Sequence, residues 1–192
     1  YSFQNPSPPP TLQTTVGGNS ASFGLTWSSS IDRTMTLNSG GSATVYIEGG
    51  DVYNFNPSGS AYVPATGGRL DTLVQNSSST WTWTSAQGER TLFTQAPAGE
   101  IVVTSITSIG GHVLTFNYDS NYILQSISDE LGRTATITWN ASHQVSSIGF
   151  PDGVTVNYNY TAVTSGAIGL NINILKSVER SQAGVSRTVT YK

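Results

Sequence analysis

The chain has 192 residues, no cysteine, and Asp, Glu, Lys and Arg at only 10% of positions. Ordinary globular domains carry about 25% charged residues, so Ser, Thr, Asn and Gly have taken their place here, as in secreted or surface β-proteins. A net charge of −3 argues against nucleic acid as a partner, no apolar run approaches the roughly 18 residues of a membrane-spanning helix, and disulfides and thiolate metal sites are excluded.

Residues 1–20, with Pro6, Pro8, Pro9 and Pro10 followed by Gly17 and Gly18, read as an extended linker or N-terminal arm. Residues 21–99 read as degenerate β-hairpins. Phe23, Leu25 and Trp27, then Met35 and Leu37, give two alternating strands around Ser28, Ser29 and Ser30. Thr44 to Ile47 and Val52 to Phe55 flank a turn through Gly49 and Gly50, and Asn56-Pro57-Ser58-Gly59 reads as a further turn. Leu70 and Leu73, Trp81 and Trp83, Gly88, and Thr91 to Phe93 repeat these events at looser spacing.

From residue 100 onward the chain repeats itself. Phe116 and Ile137 are 21 residues apart, as are Tyr118 and Trp139, Trp139 and Tyr160, Leu124 and Val145, Ile127 and Ile148, and Gly132 and Gly153. Val103, Ile106 and Gly111 stand 21 before Leu124, Ile127 and Gly132. A fixed period of this size means one supersecondary unit used several times. Each unit holds an aromatic alternating strand, a polar turn, a short Leu-x-x-Ile strand and a glycine turn, which makes a hairpin. After Tyr160 the spacing lengthens: Val145 to Leu175 is 30 and Tyr160 to Tyr191 is 31. About ten residues near 162–170, including Gly166 and Gly169, therefore read as an inserted loop. The fold expected is all-β: antiparallel β-hairpin repeats forming a curled, twisted sheet strip with two open edges.

Tyr118-Asp119, then Leu124-x-x-Ile127, then Gly132-Arg133 fourteen residues after the Tyr-Asp pair, resemble the rearrangement-hotspot (RHS) or YD repeat. One unit carries the full signature. The next has Trp139-Asn140 for Tyr-Asp and Pro151-Asp152-Gly153-Val154 for Gly-Arg, and Thr161 follows Tyr160. The resemblance implies hairpin strips of the kind that close into hollow shells around a polypeptide cargo. It implies a secreted or surface scaffold for toxin encapsulation, delivery or adhesion, with neighbouring repeats or cargo as partners. The Asp-Pro-x-Gly-Leu motif of the self-cleaving segment in larger RHS proteins is absent from this sequence.

Catalytic chemistry finds little footing, and the expectation is a non-enzyme with no cofactor and no metal site. His112 and His143 lie near turns with no partners at a recognisable spacing. Asp119, Asp129, Glu130 and Asp152 fall at or beside turns, where short carboxylates bond backbone amides. A weaker hydrolase reading would gather Asp119, Asp129 or Asp152 with His112 or His143. Gly-x-Ser-x-Gly, P-loop and calcium-loop motifs are missing. Aromatics are the better binding candidates. Trp27, Trp81 and Trp83 are either core or a stacking platform for a glycan, the alternative function being a carbohydrate-binding module; Tyr118, Trp139 and Tyr160 fit stacking between successive units. Thr-x-Thr pairs such as Thr136 and Thr138 would suit an ice-binding face if their spacing held, and it does not.

Overall fold

A computed structural model of the chain describes residues 22–23, 29, 32–48, 51–59, 61–164 and 171–191. Within them fifteen strands follow one another: β1 (Thr34–Leu37), β2 (Ala43–Tyr46), β3 (Val52–Ser58), β4 (Ala61–Pro64), β5 (Thr72–Ser77), β6 (Thr80–Thr84), β7 (Arg90–Gln95) and β8 (Ile101–Thr107), then β9 (Val113–Tyr118), β10 (Leu124–Asp129), β11 (Thr134–Trp139), β12 (Val145–Gly149), β13 (Thr155–Thr164), β14 (Asn171–Gln182) and β15 (Val185–Thr190). Each pairs antiparallel with the next in a single sheet, so the all-β hairpin architecture expected from the alternation is what forms.

One pairing breaks the simple succession. Thr34 and Met35 of β1 face Val102 and Ile101 of β8, which closes the first eight strands into a barrel. β8 serves two neighbours on that side. Its first residues meet β1, while Ser105, Ile106 and Thr107 meet Thr115, Leu114 and Val113 of β9. The remaining strands run on from this fork as an open run. Two open edges were expected, but β1 spends its edge on β8, and among the described residues the free outer edge is β15.

Eight of the hairpins share one turn. At 38–42, 85–89, 96–100, 108–112, 119–123, 129–133, 140–144 and 150–154 the fourth residue's N–H donates to the first carbonyl, and the first N–H donates to the fifth carbonyl. The fourth residue is left-handed in all eight, and it is glycine in six of them. Gly132 and Gly153 fill that position with φ of 78° and 80°, whereas Tyr122 and His143 fill it at 58° and 57°.

Bulges recur in step with the turns. The ladder skips Thr104 between β7 and β8, Gln125 between β9 and β10, Ser146 between β11 and β12, and Lys176 between β13 and β14. The first three are 21 residues apart and the last 30, so the sequence period is a period of bulges, each adding local twist. Register also shows that Thr190 faces Ser177 as Asn157 faces Ser147. Tyr191 therefore corresponds to Tyr158, rather than to Tyr160 as the spacing suggested.

Two local expectations are corrected. Asn56, Pro57 and Ser58 continue β3, with Pro57 opposite Tyr62, because proline's fixed φ suits an extended backbone near a strand end. Ala162 to Thr164 continue β13 and pair with Asn171 to Asn173, so the insertion lengthens a hairpin before any loop begins. Residues 165–170, the linker 1–20, and the turn glycines Gly49 and Gly50 lie outside the described residues.

Candidate functional site

The repeat signature resolves into a seam of side-chain bonds along the open run. Tyr118 on β9 donates its hydroxyl to the Val103 carbonyl at 2.7 Å, Trp139 on β11 donates its indole N–H to the Leu124 carbonyl at 2.6 Å, and Tyr160 on β13 donates to the Val145 carbonyl at 2.7 Å. Each bond spans 15 residues, and each acceptor immediately precedes a bulged residue. Where the bulge interrupts the ladder, the aromatic from the next hairpin supplies a donor to the carbonyl of Val103, Leu124 or Val145, all buried. Burial pushes the Tyr118 and Tyr160 phenols well above their ordinary range, which keeps both protonated as donors.

The other signature residues shape turns. The Asp119 carboxylate accepts from the amides of Asn121 and Ile123, and the Asn140 side-chain oxygen accepts from those of Ser142 and Gln144. Asn140 thus reproduces both of the backbone bonds that Asp119 accepts. Asp129 caps Leu131 and Arg133 in the same way, and the Arg133 guanidinium returns to it at 2.6 Å. That ion pair faces water and contributes little. Phe116 and Ile137 are buried, and Ile127 packs partly buried against the same cluster. Asp152 caps Val154, and Gly153 closes its turn.

The tryptophan pair lies elsewhere than a glycan platform requires. Trp81 and Trp83 on β6 are 0% and 1% exposed, inside the barrel with Met35, Val45, Phe55, Leu73, Phe93 and Val103. Alternation sends both inward, and closure by β1 and β8 seals that face. They are core, and among the described residues their indole N–H groups have no hydrogen-bond partner. Trp27 lies outside the described residues. On the opposite face of the same strands, Thr82, Arg90, Leu92, Ser105 and Thr107 line an open groove of about 240 Å³ with no aromatic ring for a sugar to stack on.

A charged cluster that periodicity does not signal sits just before β1. Arg33, itself buried, grips Glu48 with two bonds of 2.7 and 2.6 Å, reaches Glu89 at 2.6 Å, and donates to the Thr91 hydroxyl at 2.9 Å. Burial alone would lower the guanidinium, but its bonds to Glu48 and Glu89 raise it overall, and the same contact holds Glu48 below the usual carboxylate range. With four of its five N–H groups engaged, Arg33 ties β1 to Glu48 beyond the end of β2 and to Glu89 before β7. No sequence spacing announces it, since the partners are 15 and 56 residues away.

The candidate acids and bases stay apart. His112 bonds Glu130 at 2.7 Å on the surface, with Glu130 also accepting from the Val113 amide. His143 occupies the left-handed position of the turn that Asn140 caps. Asp119, Asp129 and Asp152 are each committed to their own turns. Among the described residues no group of three or more His, Asp or Glu is placed to hold a metal ion, and no helix is long and apolar enough to cross a membrane. The chain matches no protein-family model and no curated protein.

Proposed function

We propose that the chain is a non-catalytic structural module, a section of an RHS/YD-type repeat wall in a secreted or surface protein that encloses a polypeptide cargo or presents an adhesive scaffold. The observation that carries this reading is the seam: Tyr118, Trp139 and Tyr160 make the same bond one repeat apart. Asp119 and Asn140 build the same turn, so the unit that departs from the Tyr-Asp signature does the same mechanical work as the unit that carries it. In this reading β9 to β15 are a curled strip that winds on by adding hairpins, and the barrel is its closed beginning. The exposed side chains of β15, Val185 at 67% and Val189 at 58%, mark the edge where another strand joins.

Light scattering with hydrogen exchange on the chain tests this. The reading expects association through β15, weakened when Val185 and Val189 are both changed to Lys, because edge lysines oppose strand pairing. A monomer at high concentration whose β13 to β15 amides are as protected as those of the barrel would overturn it.

A further inference from the structure

The segment before β1 does more than lead into the barrel. Ser22 and Phe23 are buried against the open run. The Ser22 carbonyl accepts the Val145 amide at 2.8 Å and the Tyr160 hydroxyl at 3.4 Å, and the Phe23 ring packs on Tyr158 with centroids 4.8 Å apart. Ten residues on, the Asp32 carboxylate accepts from the Ser29 amide at 2.9 Å and the Ser22 amide at 3.4 Å. Asp32 precedes Arg33, which is locked into the barrel, so the contacts of Ser22, Phe23 and Asp32 clasp the barrel to β12 and β13 across their seam.

We propose that Asp32 is the latch of this clasp, closing it in acid and loosening it toward neutral pH. The carboxylate is held by two amides and the Ser22 hydroxyl. From the open run it faces the Tyr160 phenol, with Tyr158 beneath Phe23, and β12 brings an amide without charge. Its neighbour Arg33 is turned to Glu48 and Glu89, and no described residue forms a salt bridge with Asp32. Desolvation of this part-buried carboxylate, which has no salt bridge among the described residues, pushes its pKa up to about 6, and the amide and hydroxyl bonds only partly oppose the shift.

The sign follows from linkage. Opened to water, Asp32 returns to its ordinary value of 3.8. Below that value both states are protonated and the clasp is at full strength. Between there and about 6 the open state ionises first, so docking weakens with rising pH, and above about 6 it levels off. The change in the docking equilibrium is about a hundredfold across the window.

Amide exchange at Val145, corrected for the intrinsic pH dependence, reads the clasp directly because its partner is the Ser22 carbonyl. Protection is expected to fall about fiftyfold between pH 4 and pH 7, with the buried barrel strand β6 as the internal reference. Asp32→Asn, which carries no charge at any pH, keeps Val145 protected at pH 7 as in the acid form. Carbon NMR titration of the Asp32 carboxyl in the unaltered chain gives an independent reading that does not depend on how the variant folds, with a midpoint near 6 expected. A midpoint near or below 4, or Val145 protection that does not change with pH, would overturn the latch.

Discussion

The barrel and the open run are made from the same hairpins, turns and bulges, yet they hold themselves together differently. In the barrel, Met35, Val45, Phe55, Leu73, Trp81, Trp83 and Phe93 fill an enclosed interior, and each is fixed by the volume it occupies among unlike neighbours. Among the described residues the indole N–H groups of Trp81 and Trp83 find no hydrogen-bond partner there. In the open run Phe116, Leu124, Ile137 and Val145 are buried but Tyr118, Ile127, Trp139, Ile148 and Tyr158 stay partly buried, and β9, β11 and β13 are each fastened to the strand before by the same aromatic-to-carbonyl bond. Closure specifies by shape, and repetition specifies by a bond.

The largest effect expected from this difference is at Trp83. Its replacement by Ala leaves a sealed void that the closed sheet cannot collapse around, at a cost of about 3–5 kcal/mol. Trp139→Ala, at a half-open site, should cost less. Chemical denaturation of the two variants ranks them, and a larger loss at Trp139 would contradict the division between the regions.

Replacing the polar end of each aromatic reverses the ranking. Tyr118→Phe and Tyr160→Phe, and Trp139→Phe likewise, each leave a carbonyl beside a bulge without its donor and should cost about 1–2 kcal/mol. Trp81→Phe removes an idle buried N–H while opening a small void, two terms that oppose one another, and should fall within about 1 kcal/mol of the parent. The pair Trp139→Phe and Trp81→Phe is the sharper comparison, because the same substitution is made in both regions.

The contrast explains what could be read from the sequence. The 21-residue period was visible from residue 100 because the same bond and the same turn must be rebuilt each time: Tyr118, Trp139 and Tyr160 can differ in ring as long as each carries a donor. In the barrel no position repeats another's volume, so β1 to β7 look like worn copies of the unit. Closure of β1 on β8 left no local trace, since it rests on the pairs Thr34 with Val102 and Met35 with Ile101, far apart in the chain. The alternation at Trp81 and Trp83 showed that both point the same way, but only closure decides that this way is inward. Asp32 and Arg33 were equally hidden, their roles being set by partners from distant strands.

The two regions should also answer acid differently, with a smaller effect because Glu48 is part-exposed and its pairing with Arg33 is screened. Glu48 titrates below its ordinary range in the folded state. Its stabilising share is therefore present above about 4.5 and is lost as pH falls through the lowered value. Asp32, shifted the opposite way, strengthens its clasp over pH 6 to 4. Acid titration followed by residue-resolved exchange should show the open run gaining protection at Val145 before the barrel loses any near Arg33, and Glu48→Gln should remove the barrel's part of the response.

The smallest effect separates two copies of one turn within the open run. Asp129 and Asn140 both cap the amides two and four residues on, but the first turn closes with Gly132 and the second with His143 at φ 57°. A side chain in the left-handed region is strained by about 1–2 kcal/mol, and among the described residues its exposed ring makes no bond that would offset this. His143→Gly relieves the strain but frees the unfolded chain, which takes back about 0.4–1 kcal/mol. The net should be a gain of about 0.5 kcal/mol, read as a small rise in melting temperature. If His143→Gly were instead destabilising, the histidine would be making a contact that its twin position at Gly132 does without, and the equivalence of the two turns would fail at this residue.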